Sequence, residues 1–174
     1  MTRHHGHPKR SDEISLPFEE AHSRQVPAGK KQAERTLGHV AIWLLKTEPG
    51  EFSFDDLVAR GVEPWDGVTA PPALGNMRRA QAGETCVIYH TGDERQAVGL
   101  ATVERTAYPD PKKDNERLIV IDVRAGARLP RPVTLAQMKS DARFADSPLV
   151  KMGRLSVVML TDQQYAAILE MAGM

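Results

Sequence analysis

The feature that most constrains the fold of this chain is a series of short apolar runs of strand length at close spacing. Five such runs can be marked, at residues 40–46, 85–90, 96–105, 118–123 and 155–160. The segments between them are short, and Ser53, Thr134 and Thr161 are typical residues for the starts of small helices there. A doubly wound parallel sheet needs long crossover helices, which are missing. The pattern therefore predicts an α+β fold, a mixed β-barrel of about five or six strands with short peripheral helices.

Residues 64–79 form the most unusual stretch between these runs. Trp65 is followed by an Asp66-Gly67 turn and by the pair Pro71-Pro72, after which residues 73–79 can form a short helix. A flat ring beside a turn, ahead of a helix, suits the wall of a pocket for a flat ligand. The alternative is a Trp that only fills the core, as most aromatic residues do.

Two positions inside the predicted strands carry structural expectations. Trp43 lies in the middle of an apolar run and is expected in the core. Gly99 interrupts the run 96–105, which indicates a β-bulge or a close approach to the backbone at that point.

Composition excludes several classes of protein. Lys and Arg together number 23, as do Asp and Glu, so the chain lacks the basic excess of a sequence-independent phosphate binder. The equal numbers of basic and acidic residues remain compatible with a pocket that binds a single base with the help of a few local cations. The single cysteine, Cys86, rules out an intramolecular disulfide and favours a reducing setting. No apolar run approaches the roughly 20 residues of a membrane span, and no signal core precedes the domain, so we expect a soluble cytoplasmic protein without a membrane partner.

The N-terminal part differs in composition from the rest. Residues 1–38 are rich in charged residues, His, Pro, Gln and Ser, which predicts a disordered or weakly ordered polar tail ahead of a domain at residues 39–174. His4, His5 and His7 suggest a metal site, but three histidines without a fourth ligand or a scaffold are more typical of a solvated tail. We therefore predict no metal.

Catalytic patterns are weak. Cys86 and His90 lie four residues apart on one predicted strand, hence about 13 Å apart at a rise of about 3.3 Å per residue, too far for a thiolate–imidazole pair. No glycine-rich phosphate loop, HExxH or CxxC motif occurs. We expect no enzyme activity and no cofactor, and a hydrolase or deaminase ranks last among the possible functions.

The remaining polar and aromatic residues suit binding. They comprise aromatic surfaces, donors and one small hydroxyl: Trp43, Trp65, Tyr89, Lys46, His90, Lys151, Arg154 and Ser156. Proteins bind bases by stacking on aromatic rings and by hydrogen bonds at base edges, so this set suits a pocket for one extruded base. For Lys151 and Arg154 the alternative is ordinary surface charge.

Several motifs, in order and in register, resemble those of one family. They are Trp43-Leu44-Leu45-Lys46-Thr47-Glu48-Pro49, Trp65-Asp66-Gly67-Val68, Tyr89-His90-Thr91-Gly92, Ala107-Tyr108-Pro109-Asp110-Pro111, Leu129-Pro130-Arg131-Pro132-Val133 and Arg154-Leu155-Ser156-Val157. In these motifs the sequence is similar to the EVE domain, and the similarity extends over residues 41–169.

The resemblance implies a PUA-like β-barrel, related to the YTH and ASCH domains, that binds RNA or DNA at modified bases without catalysis. Carried over by motif position, the pocket residues are Lys46, Trp65, Tyr89, His90, Arg154 and Ser156. Trp65 would stack on the base, and Lys46 and Arg154 would supply hydrogen bonds or phosphate contacts. Arg78 and Lys151 are added as local cations. The oligomeric state is not indicated, and a monomer is favoured.

The chain departs from the family pattern after Val68. Where the family has Arg-Asn and then Ala-Arg-Asn, this sequence has Thr69-Ala70 and Ala73-Leu74-Gly75. Two cations and two amides are thus absent, and Arg78 and Arg79 would replace the charge only in part. The alternative function is therefore a small-molecule module, for a nucleoside or a metabolite, that has lost the nucleic-acid surface.

Overall fold

The structure is a computed structural model that describes residues 40–174. Its elements, in chain order, are β1 (Ile42–Thr47), α1 (Phe54–Arg60), β2 (Val62–Pro64), α2 (Pro71–Arg79), β3 (Thr85–His90), β4 (Gln96–Pro109), β5 (Ile119–Thr134), α3 (Leu135–Ser140), a 3₁₀ turn (Ala142–Phe144), α4 (Pro148–Lys151), β6 (Val157–Leu160) and α5 (Asp162–Ala172). The expectations for the N-terminal tail, including its three histidines, lie outside the described residues. The domain boundary at residue 39 stays a prediction.

The strands form one six-stranded mixed sheet in the order β2-β5-β4-β3-β1-β6. β1 and β3 are parallel, and the other four neighbouring pairs are antiparallel. The predicted α+β fold, with six strands and short helices, is confirmed.

The sheet is not closed into the expected barrel. Its hydrogen-bonded order is linear, with β2 and β6 at the two edges. The helix α2 contacts β4, β5 and β6, and the Asn76 side-chain amide donates to the Val157 carbonyl of β6 (2.8 Å). A helix satisfies its own backbone groups, so α2 packs against these strands without adding to the strand ladder.

The strands β4 and β5 are longer than the apolar runs predicted. Their pairing contains several register shifts, and one of them separates the pairs Ala97–Val133 and Gly99–Arg128. This irregular part of β5 includes Pro130 and Pro132, which lack the N–H that a regular ladder needs. The predicted run therefore ends at residue 123, whereas β5 continues to Thr134.

The core expectations for Trp43 and Gly99 are confirmed. Trp43 is 1% exposed, and its indole N–H donates to the Glu84 carboxylate (2.6 Å). At Gly99 an added Cβ would lie 2.6 Å or less from three atoms of the Phe54 ring. The missing side chain thus lets α1 pack directly against β4.

The helix starts follow the predicted capping chemistry, with one difference. Ser53, Thr134 and Thr161 each form a capping box. Helix α2, however, begins at Pro71 rather than at residue 73. Prolines are tolerated in the first turn because the N–H groups there have no intrahelical partner. Within residues 40–174, no helix has the length and apolar character needed to cross a membrane.

Candidate functional site

A cavity of about 390 Å³ opens beside Trp65. It lies between the chain that follows β1, the chain around β2, the β4–β5 loop and the residue before β6. Its lining residues are Lys46, Thr47, Glu48, Glu51, Phe52, Arg60, Glu63, Pro64, Trp65, Asp66, Gly67, Val68, Lys112 and Ser156. The volume lies in the range of about 300–1,000 Å³ typical of small-ligand sites.

Two rings form the aromatic wall of this cavity. Trp65 is 5% exposed, and its ring meets that of Phe52 edge to face, with centroids 6.1 Å apart. The Trp65 backbone N–H donates to the Ile121 carbonyl of β5 (2.7 Å), which holds the residue at the end of β2. The Arg60 guanidinium lies 5.3 Å from the Phe52 ring centroid. Trp65 is therefore both a buried residue and part of the cavity wall.

Lys46 and Ser156 also line the cavity. The Lys46 Nζ donates to the Gly153 carbonyl (2.9 Å), and its backbone N–H donates to the Ser156 carbonyl (2.9 Å). Burial lowers the pKa of Lys46. Of the eight predicted site residues, the structure brings Lys46, Trp65 and Ser156 together around the cavity.

Charges of both signs line the cavity. Four carboxylates (Glu48, Glu51, Glu63, Asp66) and three cations (Lys46, Arg60, Lys112) are present. Two of these cations are engaged by lining carboxylates, Arg60 by Glu63 at 3.0 Å and Lys112 by Asp66 at 2.9 Å. The hydrogen bond and charge of Asp66 raise the pKa of Lys112. The site is thus a mixed polar cavity and not a basic one.

The Lys112–Asp66 pair joins two parts of the chain across the cavity edge. Lys112 belongs to the β4–β5 loop and Asp66 directly follows Trp65. No sequence signal marks Lys112, Phe52 or Arg60 as site residues. They come from separate segments with no common spacing, and only the Asp66-Gly67 turn indicates the position of the Lys112 partner.

Tyr89 and His90 are not among the residues that line the cavity. Tyr89 is 3% exposed, its ring centroid is 5.8 Å from the Lys46 Nζ, and burial raises its pKa. His90 accepts a hydrogen bond at Nε2 from the Phe54 backbone N–H (3.0 Å) and contacts the Glu94 carboxylate through Nδ1 (2.7 Å). Because Nε2 accepts, the ring proton lies on Nδ1. In this arrangement His90 joins the start of α1 to β3, and neither residue lines the cavity.

The other three predicted cations are distributed over the surface. Arg78 donates to the Arg117 carbonyl (3.0 Å), and Lys151 pairs with Asp146 (2.5 Å). Arg154 is exposed and lines a second, separate cleft. Their roles in binding stay predictions.

The cysteine lies away from the cavity. Cys86 is fully buried on β3, and desolvation raises its pKa, which disfavours the nucleophilic thiolate. Residues 40–174 contain no group of three or more His, Cys, Asp or Glu side chains arranged to hold a metal ion.

Solved structures provide several similar proteins. A hypothetical protein from Leishmania major is 36% identical with a TM-score of 0.72, over 77% of this chain and 95% of that one. Rpa0253 from Rhodopseudomonas palustris is 38% identical with a TM-score of 0.73, over 77% and 94%. Human THYN1, solved in complex with DNA containing 5-methylcytosine, is 27% identical with a TM-score of 0.71, over 77% and 98%. A comparison with curated proteins found no match.

The family comparison agrees with these structures. The model of the EVE domain matches residues 41–171, which include every described strand and all but the last residue of α5. The motifs around β1, Trp65, β3 and β6 all fall within the matched range. The chain therefore belongs to the EVE-domain family.

Proposed function

We propose that this protein is a non-catalytic reader that binds a modified base of a nucleic acid in the cavity beside Trp65. The observation that carries the proposal is the combination of an open cavity of about 390 Å³, an aromatic wall, and a lysine and a serine in the same lining. The similarity to human THYN1, which was crystallised with DNA containing 5-methylcytosine, supports DNA as the first ligand to test.

The mixed charge of the lining suits a base with an exocyclic amino group, and the complex of human THYN1 makes cytosine the first such base to test. Carboxylates accept hydrogen bonds from the exocyclic amino group of cytosine, and Glu63 and Asp66 are both present beside Trp65. Trp65 would contact the face of the base, and Lys46 and Ser156 would contact its edge. A methyl group at carbon 5 would add apolar area against the aromatic wall.

Tryptophan fluorescence provides the test. A single-stranded DNA with one 5-methylcytosine should quench the protein's emission and bind more tightly than the same strand with cytosine. Trp65→Ala lacks the fluorescent reporter, so its affinity is measured by the anisotropy of a labelled strand. Binding should weaken by about 5- to 150-fold, since aromatic stacking contributes about 1–3 kcal/mol per base. Because Trp65 is also buried, a thermal melt must show that the variant is folded.

Two further variants test binding without a change to a buried aromatic residue. Lys46→Met should also weaken binding, whereas Lys139→Met, at an exposed lysine that does not line the cavity, should bind as the unaltered protein does. The proposal fails if no DNA or RNA strand, modified or unmodified, binds at low salt, where phosphate contacts are strongest.

A free nucleoside or another small molecule is the second candidate. It is favoured by the excess of carboxylates over cations in the lining, which does not suit a polyanion. Stabilisation of the fold by 5-methylcytidine or another nucleoside, with none by any oligonucleotide, would support this function instead.

We also infer that the open six-stranded sheet, with α2 packed against β4, β5 and β6, is the form that the PUA-like barrel takes in this chain. The inference rests on the membership in the EVE-domain family.

A further inference from the structure

We propose that a second cleft, next to the cavity, holds the nucleotide adjacent to the modified base, so that the unit recognised is at least a dinucleotide of one strand. This inference rests on the proposed function. The cleft has a volume of about 390 Å³ and is lined by Ala70, Pro72, Met152, Gly153, Arg154 and Leu155. Apart from Arg154, its lining residues are apolar or glycine.

The cavity and the cleft share two stretches of chain. Val68 lines the cavity and Ala70 lines the cleft, so this wall continues within about 7 Å, the greatest span of two residues. Ser156 lines the cavity, and its sequence neighbour Leu155 lines the cleft. A strand that leaves the cavity therefore reaches the cleft within one nucleotide.

A direct hydrogen bond also connects the two sites. The Lys46 Nζ, at the cavity, donates to the carbonyl of Gly153, which lines the cleft (2.9 Å). A ligand that draws Lys46 toward a base edge would therefore act on the loop that carries Met152 and Arg154.

The side chains of the cleft suit the binding of a neighbouring nucleotide. Met152 is 49% exposed and, with Pro72 and Leu155, offers an apolar surface for a base face or a sugar. Arg154 is exposed, and a guanidinium binds phosphate in bidentate fashion. The cavity has an excess of carboxylates, so the phosphate between the two nucleotides is accommodated at Arg154 and not inside the cavity.

The test uses single-stranded DNA with one 5-methylcytosine, in three forms. The first has ordinary neighbours, the second an abasic site on the 5′ side, and the third an abasic site on the 3′ side. Loss of one neighbour should weaken binding by about fivefold. The ratio of the two affinities, intact strand over abasic strand, should fall toward one in Met152→Ser. If the abasic site acts only on the conformation of the strand, the ratio should stay at its value in the unaltered protein. Met174→Ser, at another exposed methionine, is the matched control.

Arg154 is tested by salt dependence. In Arg154→Gln the slope of log K against log salt should become shallower by about one phosphate contact, and Arg131→Gln, at an exposed arginine of β5, should leave it unchanged.

The outcomes separate this inference from the proposed function. If the affinity ratio of intact to abasic strand is the same in the unaltered protein and in Met152→Ser, the proposal that a dinucleotide is recognised is overturned. Tighter binding of the methylated strand than of the unmethylated strand would still support the proposed function. An unchanged slope in Arg154→Gln overturns the phosphate contact. Absence of binding to every oligonucleotide overturns both proposals.

Discussion

At the scale of single residues, Gly99 and His90 determine how α1 meets the sheet. The Phe54 ring occupies the space that a side chain at residue 99 would need, and the Phe54 N–H is bonded to the His90 ring. Both contacts fix the first residue of α1, whose last residue, Arg60, lines the cavity. A small residue on one strand and an acceptor on another therefore position part of the candidate site.

Gly99→Ala is expected to destabilise the protein. The new methyl group would collide with the Phe54 ring, and overpacking of this kind costs about 1–3 kcal/mol. Chemical denaturation measures the change in the free energy of unfolding.

Gly75→Ala is the matched control. It lies within α2, and an added Cβ there meets no atom within 4 Å. We expect a gain of about 0.5–1 kcal/mol from helix propensity. A neutral result for Gly99→Ala would show that Phe54 moves without cost.

At the scale of elements, the connection between α3 and β6 is more ordered than its sequence indicated. The sequence shows no apolar run and no helix start between Thr134 and residue 155, but this connection contains a 3₁₀ turn (Ala142–Phe144). There the Asp141 side chain accepts from the Arg143 N–H (2.9 Å). The Arg143 guanidinium binds Asp141 (2.7 Å) and Glu170 of α5 (2.9 Å). This ion-pair chain joins the turn to the last helix.

Asp141 gives a prediction about pH. Its hydrogen bonds to Arg143 lower its pKa from 3.8 to about 2. A carboxyl group whose pKa is lowered in the folded state stabilises the protein above its ordinary pKa. This stabilisation is therefore present above about pH 4 and is lost as the pH falls toward 2.

The comparison variant is Asp141→Asn, which keeps a side-chain oxygen as acceptor for the Arg143 N–H. Its thermal midpoint should lie below that of the unaltered protein at pH 7, and the difference should shrink between pH 4 and pH 2. A difference that is constant across this range would contradict a role for the charge.

At the scale of the whole molecule, the chain between β2 and α2 connects the sheet with both candidate sites. Helix α2 packs against β4, β5 and β6. The chain that leads into it carries Trp65 on the cavity and Ala70 on the second cleft. One stretch of chain therefore contributes to two neighbouring sites.

A shortened chain tests the predicted domain boundary. Residues 39–174 alone should unfold at the same denaturant concentration as the full chain and with the same slope, since the polar composition of residues 1–38 offers little apolar surface to bury. A lower midpoint for the shortened chain would show that the N-terminal residues stabilise the domain.

The sequence by itself determined the local features of this protein. Helix caps at Ser53, Thr134 and Thr161, the buried run around Trp43 and the close approach at Gly99 follow from rules that act over a few residues. The family motifs also identified Trp65, Lys46 and Ser156, which the folded chain brings together.

The tertiary structure alone decided what surrounds those three residues. Phe52, Arg60 and Lys112 reach the cavity from separate segments, and His90 is directed to α1 because Phe54 lies beside it. The linear strand order, with β2 and β6 at the edges, likewise depends on pairing between segments that are distant in the chain. Such contacts join residues that are distant in the chain, and they form only when burial of the whole core fixes the elements relative to one another.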